Sequence, residues 1–100
     1  MKNINSKEEV LSIAKNELMI ECVGGEVNHY KFLCVHPRND NYVILMNFCE
    51  RPVRFYYQDL INRFFTDYSD EDVILYKIGY RRNEIEELEE KLKKLKNLQQ

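Results

Sequence analysis

Apolar positions recur along this chain at two periods, and each change of period marks an element. Ser6-Lys7-Glu8-Glu9 has the S-x-x-E form in which a serine hydroxyl and a glutamate carboxylate satisfy free amides at a helix start. Val10, Ile13, Ala14 and Leu18 follow at helical spacing, which predicts a first helix over residues 7–17. Residues 19–23 are apolar apart from Glu21 and run into Gly24-Gly25, a pair suited to the positive φ of a tight hairpin turn. Residues 27–36 then place Tyr30, Phe32, Cys34 and His36 on one face and Lys31, Leu33 and Val35 on the other. Two largely apolar faces predict a central strand. A polar loop at 37–41 and an apolar run at 42–48 add a third strand, completing an antiparallel meander.

Pro52 is expected to end the sheet. Tyr57, Leu60, Ile61, Phe64, Phe65 and Tyr68 recur at i, i+3, i+4, i+7, i+8 and i+11, the stripe of a second, amphipathic helix. Asp67 through Asp72 reads as an acidic turn. Val73-Ile74-Leu75-Tyr76-Lys77-Ile78 reads as a fourth strand from its β-branched and aromatic content. Gly79 marks the exit, and a closing helix starts near Arg81. The expected fold is therefore α+β: a mainly antiparallel four-stranded sheet (19–23, 27–36, 42–48, 73–78) in the order α-β-β-β-α-β-α, with a long C-terminal leucine-heptad helix. Residues 1–80 form the compact body and residues 81–100 an amphipathic helix, in the same structural domain or as a dimerisation arm.

That closing helix carries the most distinctive pattern. Ile78, Ile85 and Leu92 are seven apart, and Leu88 and Leu95, each three residues further on, supply the second position of an a/d heptad seam. Helices that pack flat on a core usually carry a wider apolar stripe, and this one adds only Leu98. Three outcomes follow: the seam covers the protein's own sheet or second helix, it grips another protein or a second copy, or the helix is a frayed, solvated end. Glutamates precede lysines, an order that suits the helix dipole and sets Glu87-Lys91, Glu89-Lys93 and Glu90-Lys94 at i, i+4. In a parallel pair Glu84 would meet Glu89 and Lys91 would meet Lys96, both repulsive. An antiparallel pair with Ile85 opposite Leu88 sets Glu84 beside Lys91 and Arg82 beside Glu89, so antiparallel pairing is favoured.

Composition narrows the function classes. One hundred residues make one domain with one modest core, and twelve aromatics, seven of them tyrosine, supply its bulk. A net charge of -2 gives no global field for a polyanion. No apolar run approaches the roughly 20 residues of a membrane helix, so no membrane partner is expected. Three cysteines at irregular spacing, and polar residues directly after Met1, fit a reducing cytoplasm. Abundant Asn, Lys, Ile and Tyr beside a single alanine, Ala14, point to AT-rich coding, as in a low-GC bacterium or one of its phages.

Reactive chemistry finds little support. Cys22, His29, Cys34, His36 and Cys49 lack the paired spacing of structural zinc sites, and Cys34 with His36 lacks an orienting third group. No metal, cofactor or catalytic residue is expected. Helix, three strands, helix, strand is also the element order of the restriction-endonuclease-like core. The second and third strands, however, lack the carboxylates and lysine that hold Mg²⁺ beside a phosphate, so such a core would be catalytically dead.

Two surfaces remain. Arg51, Arg54, Tyr56 and Arg63 interleave guanidinium groups with aromatic rings, the mixture that grips phosphates and stacks on bases. Asp67, Asp70, Glu71 and Asp72 concentrate negative charge as a phosphate-backbone mimic would. The expected function is non-enzymatic: a small interaction protein acting by protein-protein binding or homodimerisation, an accessory or inhibitory protein of a phage or mobile element. Its contacts are Ile85, Leu88, Leu92 and Leu95, with Asp67, Asp70, Glu71 and Asp72 as a second surface. A nucleic-acid-binding regulator using Arg51, Arg54, Tyr56 and Arg63 is the alternative.

Overall fold

The computed structural model describes residues 1–98. The fold is α+β, with a six-stranded antiparallel sheet and a long C-terminal helix. The elements are β1 (Lys2–Asn3), α1 (Lys7–Leu11), β2 (Leu18–Val23), β3 (Glu26–Val35), β4 (Tyr42–Asn47), β5 (Pro52–Tyr56), α2 (Tyr57–Leu60), β6 (Phe64–Thr66) and α3 (Asp70–Leu98). The strands lie in the order β1-β6-β2-β3-β4-β5. The expected meander is present as β2-β3-β4, with β5 continuing it and β6 slotting in on the other side.

One face of the sheet carries the main core. Met19, Phe32, Val43, Leu45 and Phe64 project from it and are closed over by Ile4, Val10 of α1 and Leu60 of α2. Tyr30, Phe55 and Phe64 pack ring to ring at 5.3 to 5.4 Å between centroids, two of the three pairs edge-on. Fully burying each such side chain contributes roughly 1.5–3 kcal/mol. Alternation fails at one point in β3. The register slips between Phe32 and Cys34, a β-bulge at Leu33. Val35 consequently joins Tyr30 and Phe32 against the core, and Cys34 moves to the opposite face, reversing the faces that strict alternation predicts.

Four expectations are corrected. The first helix is one turn and a half, not residues 7–17: Ser6 caps it, accepting from the Glu9 amide at 3.2 Å, but Ser12 closes it and Asn16 turns the chain at φ 71°. Pro52 opens edge strand β5, where a missing N–H costs nothing because that side faces no neighbour. The long second helix is a single turn followed by a reversal at Asn62, φ 67°, into β6. Its apolar stripe still reaches the core, through Tyr57, Leu60, Ile61 and Phe64, because both conformations bury the same side chains. Residues 73–78 are not a fourth strand: they lie inside α3, which starts at Asp70 and runs through the expected junction at 80/81. The expected four-stranded sheet is thus six-stranded, and the order α-β-β-β-α-β-α becomes β-α-β-β-β-β-α-β-α, with β1 and β5 added and β6 taking the place of the expected fourth strand.

α3 explains the overall shape. At about 1.5 Å per residue its 29 residues reach roughly 43 Å. The molecule measures 63 × 27 × 24 Å, and its radius of gyration of 17.8 Å exceeds the ~13 Å of a compact domain this size. The segment leading into α3 and its first turns lie beside the β2-β3 hairpin. Tyr68 lies beside His29, with ring centroids 6.0 Å apart, and buried Ile20 is the residue paired with His29 in the register. One turn and a half into the helix, the Tyr76 hydroxyl accepts from the Gly25 amide at 3.2 Å, and the Tyr80 ring lies against the Gly25 backbone. Beyond Tyr80 the helix passes the β2-β3 turn and projects.

Gly25 therefore carries two demands at once, a φ of +81° and a Cβ position only 2.6 Å from Tyr80. Gly24 shares the first alone, at φ +60° with open space around it. In chemical denaturation Gly24→Ala is expected to cost about 1–2 kcal/mol, and Gly25→Ala about 1–3 kcal/mol more. The excess should vanish in a Tyr80→Ala background; equal costs in both backgrounds would show that the ring does not bear on the turn.

Candidate functional site

The seam residues are exposed along the whole of α3. Ile74, Ile85, Leu88, Leu92 and Leu95 are each 53% to 62% exposed, and Ile78 is 41% exposed. No residue described in α3 is buried. The reason is angular: at 100° per residue, Tyr76 and Tyr80 fall on the side of the helix opposite Ile74, Ile78 and Ile85. The tyrosines hold the body, so the apolar seam faces away from it. Since the helix starts at Asp70, Ile74 takes a d position ahead of Ile78. The seam then runs over three heptads, Ile74 to Leu95, with Arg81 its one polar break. Reading residues 73–78 as a strand conceals Ile74; the signal that reveals it is Ser69-Asp70-Glu71-Asp72, a second capping sequence of the kind seen at Ser6.

The acidic turn is largely occupied by that capping. The Ser69 amide donates to Asp72 Oδ2 at 3.0 Å and the Asp72 amide to Ser69 Oγ at 3.2 Å, a reciprocal cap. The N-terminal ammonium of Met1 lies 3.3 Å from the same carboxylate oxygen. Hydrogen bonds from Ser69 first, and the ammonium second, hold the Asp72 carboxyl below its ordinary value. Asp67 adopts φ 49° at the junction of β6 and α3, and Asp70 and Glu71 point to solvent in the first turn. Asp72 therefore stabilises a helix start; Asp70 and Glu71 are the members of the cluster left open.

The arginine and tyrosine patch is divided. Arg54 stacks over Tyr42 at 4.9 Å, and Tyr56 lies 5.6 Å from Tyr42, on the open face at the β5 edge. Arg51 is exposed in the turn before them. Arg63 is elsewhere, next to β6, four strand positions away or roughly 19 Å at ~4.8 Å per strand. Its Nε sits 2.9 Å from Glu21 Oε2 but off the N–H axis, so the contact is an ion pair rather than a hydrogen bond. It neutralises a carboxylate that is only 8% exposed.

The open face also has a shallow hollow of about 260 Å³ bordered by Leu18, His29, Met46, Phe48 and Tyr68, with Phe48 78% exposed. No spacing rule draws these residues together, since they come from three strands and two turns. The cysteines are dispersed. Cys22 is half-buried, its thiol pushed up by burial and by neighbouring Glu21, while Cys34 and Cys49 are exposed. Among the described residues no three His, Cys, Asp or Glu side chains converge as metal ligands would, and no helix is long and apolar enough to cross a membrane.

Because its folded pKa is depressed, Asp72 contributes stability that is present above its ordinary value of 3.8 and is lost as pH falls through the lower folded value. Thermal unfolding followed from pH 5 to pH 2 should show an acid limb that is shallower in Asp72→Asn than in the parent chain. Superimposable limbs would mean that this carboxylate does not hold the helix start. Compared with known protein families, characterised proteins and solved structures, the chain matches none of them.

Proposed function

We propose that the protein is a non-enzymatic, cytoplasmic interaction protein that works by gripping another protein, or a second copy of itself, along the seam of α3. The single observation that supports this most is the exposure of Ile85, Leu88, Leu92 and Leu95 on a helix whose other side is used to hold the body. A continuous apolar ridge in water costs free energy at roughly 25 cal/mol per Å², and covering it drives association. Role and surface suit an accessory or inhibitory protein of a phage or mobile element, as the coding bias suggests. Asp70 and Glu71, open at the other end of the helix, add a charged contact for a basic partner.

Leu88→Glu combined with Leu92→Glu tests the reading directly. Neither leucine touches the body, so the unfolding midpoint and sheet signal should stay within about 0.5 kcal/mol of the parent. The mass in light scattering, or the capture of a host protein by the immobilised chain, should fall. If mass and capture are both unchanged, the seam is not the working surface; if the body unfolds, the seam belongs to its stability.

Arg54 stacked on Tyr42 beside half-exposed Tyr56 favours a second reading, a small nucleic-acid-binding regulator that uses the β5 edge with Arg51. Arg63, held by Glu21, would take no part. Binding of single-stranded DNA or RNA should then weaken linearly with the logarithm of salt, and Arg54→Ala should lower the slope by roughly one unit. Absence of binding at low salt ends this reading.

A further inference from the structure

We infer that the occupant of the α3 seam is a second copy of this chain, paired antiparallel in one register, with Ile85 of each copy opposite Leu88 of the other. The inference rests on the seam being the working surface and names its partner. The argument is one of charge, because parallel pairing and both adjacent antiparallel registers set like charges together.

In a parallel pair, the residue just before each of Ile78, Ile85 and Leu92 meets the residue five places further along in the other copy. Lys77 would face Arg82, Glu84 would face Glu89, and Lys91 would face Lys96. All three are repulsive. Antiparallel pairing leaves three neighbouring registers, each one heptad apart. Placing Ile85 against Leu95 stacks Lys91 on Lys91, Glu89 on Glu89 and Arg82 on Lys96 across the two-fold axis. Placing Ile78 against Leu88 stacks Glu84 on Glu84, Arg82 on Arg82 and Lys77 on Lys91. Only with Ile85 against Leu88 are the flanking charges complementary: Glu84 with Lys91 and Arg82 with Glu89, each made twice by symmetry.

The structure leaves that alignment open. Ile78 would cover Leu95 of the second copy, and Ile78 is exposed because the body is held from the opposite side by Tyr76 and Tyr80. Arg81 would fall against Leu92. Its guanidinium is already drawn aside to Glu84 at 2.8 Å, so its aliphatic stem can cover the leucine while the charge stays in water. A polar residue at one seam position also fixes register, because any slip would bury it elsewhere. The two bodies would sit at opposite ends of the shared rod, with the Tyr76 residues about 30 Å apart along it.

The test is charge reversal, followed by light scattering and sedimentation across the micromolar range. Lys91→Glu and Glu84→Lys should each weaken self-association about tenfold, since each replaces two attractive contacts by two repulsive ones. The double swap, Glu84→Lys with Lys91→Glu, should restore it to within about twofold. Lys93→Glu breaks an equivalent i, i+4 pair within the helix but lies away from the seam, so it should leave association unchanged. Parallel pairing predicts the reverse for the single variants, because each would relieve a repulsion. Tightening by either single variant, or a wild-type chain that stays monomeric throughout, overturns the inference. A monomeric chain whose capture of a host protein is still lost in the Leu88→Glu, Leu92→Glu variant would leave the seam in use and the self-pairing alone refuted.

Discussion

The contact between the tyrosines of α3 and the turn at Gly25 governs the rest of the molecule. It is small: one hydrogen bond from the Gly25 amide to the Tyr76 hydroxyl, and the face of Tyr80 against a backbone that has no room for a Cβ. Yet it selects which side of the helix meets the body, and by doing so it decides that isoleucine and leucine point outward. Were the helix rotated by half a turn, Ile74 and Ile78 would turn toward the body and Tyr76 and Tyr80 would be in water. Lateral area on that side is limited as well. Ile20, paired with His29, is fully buried there, while Leu18 and Phe48 stay exposed.

The body gathers its core cluster on one face. Two short helices, α1 and α2, close over a sheet whose core is built from Met19, Phe32, Val43, Leu45 and Phe64. Both edges are blunted in the way expected of a sheet that must not recruit neighbours: β1 has two residues, and β5 begins with a proline. The strand edges thus offer little for pairing, and the long exposed apolar row lies on the helix instead.

The class of the fold, the β2-β3-β4 meander and the seam were legible because each rests on a repeating pattern over many residues. What was not legible depends on single residues. Asn62 turns a helical stripe into one turn and a strand, and the stripe gives no warning because Leu60, Ile61 and Phe64 reach the same core by either route. The bulge at Leu33 exchanges Cys34 for Val35 without altering composition. Residues 73–78 have the content of a strand, and helix wins there because Ser69 and Asp72 cap it and a long, favourable helix continues behind it. Of the proposed surfaces, the seam could be read from spacing, whereas the separation of Arg63 from Arg54 depends on strand order, which no local pattern encodes.

The place of β6 has a consequence for how the chain assembles. It lies between β1 and β2, joining residues 2–3 to 65–66, so a strand made late must enter between two made early. Until it arrives, β2 presents a bare edge and Met19 lacks the cover of Phe64. A nascent chain thus cannot complete its sheet before Thr66 has been synthesised, and α3 with its exposed apolar row follows only afterwards. Chain order itself keeps the exposed apolar row of α3 unmade while the open edge of β2 is still bare.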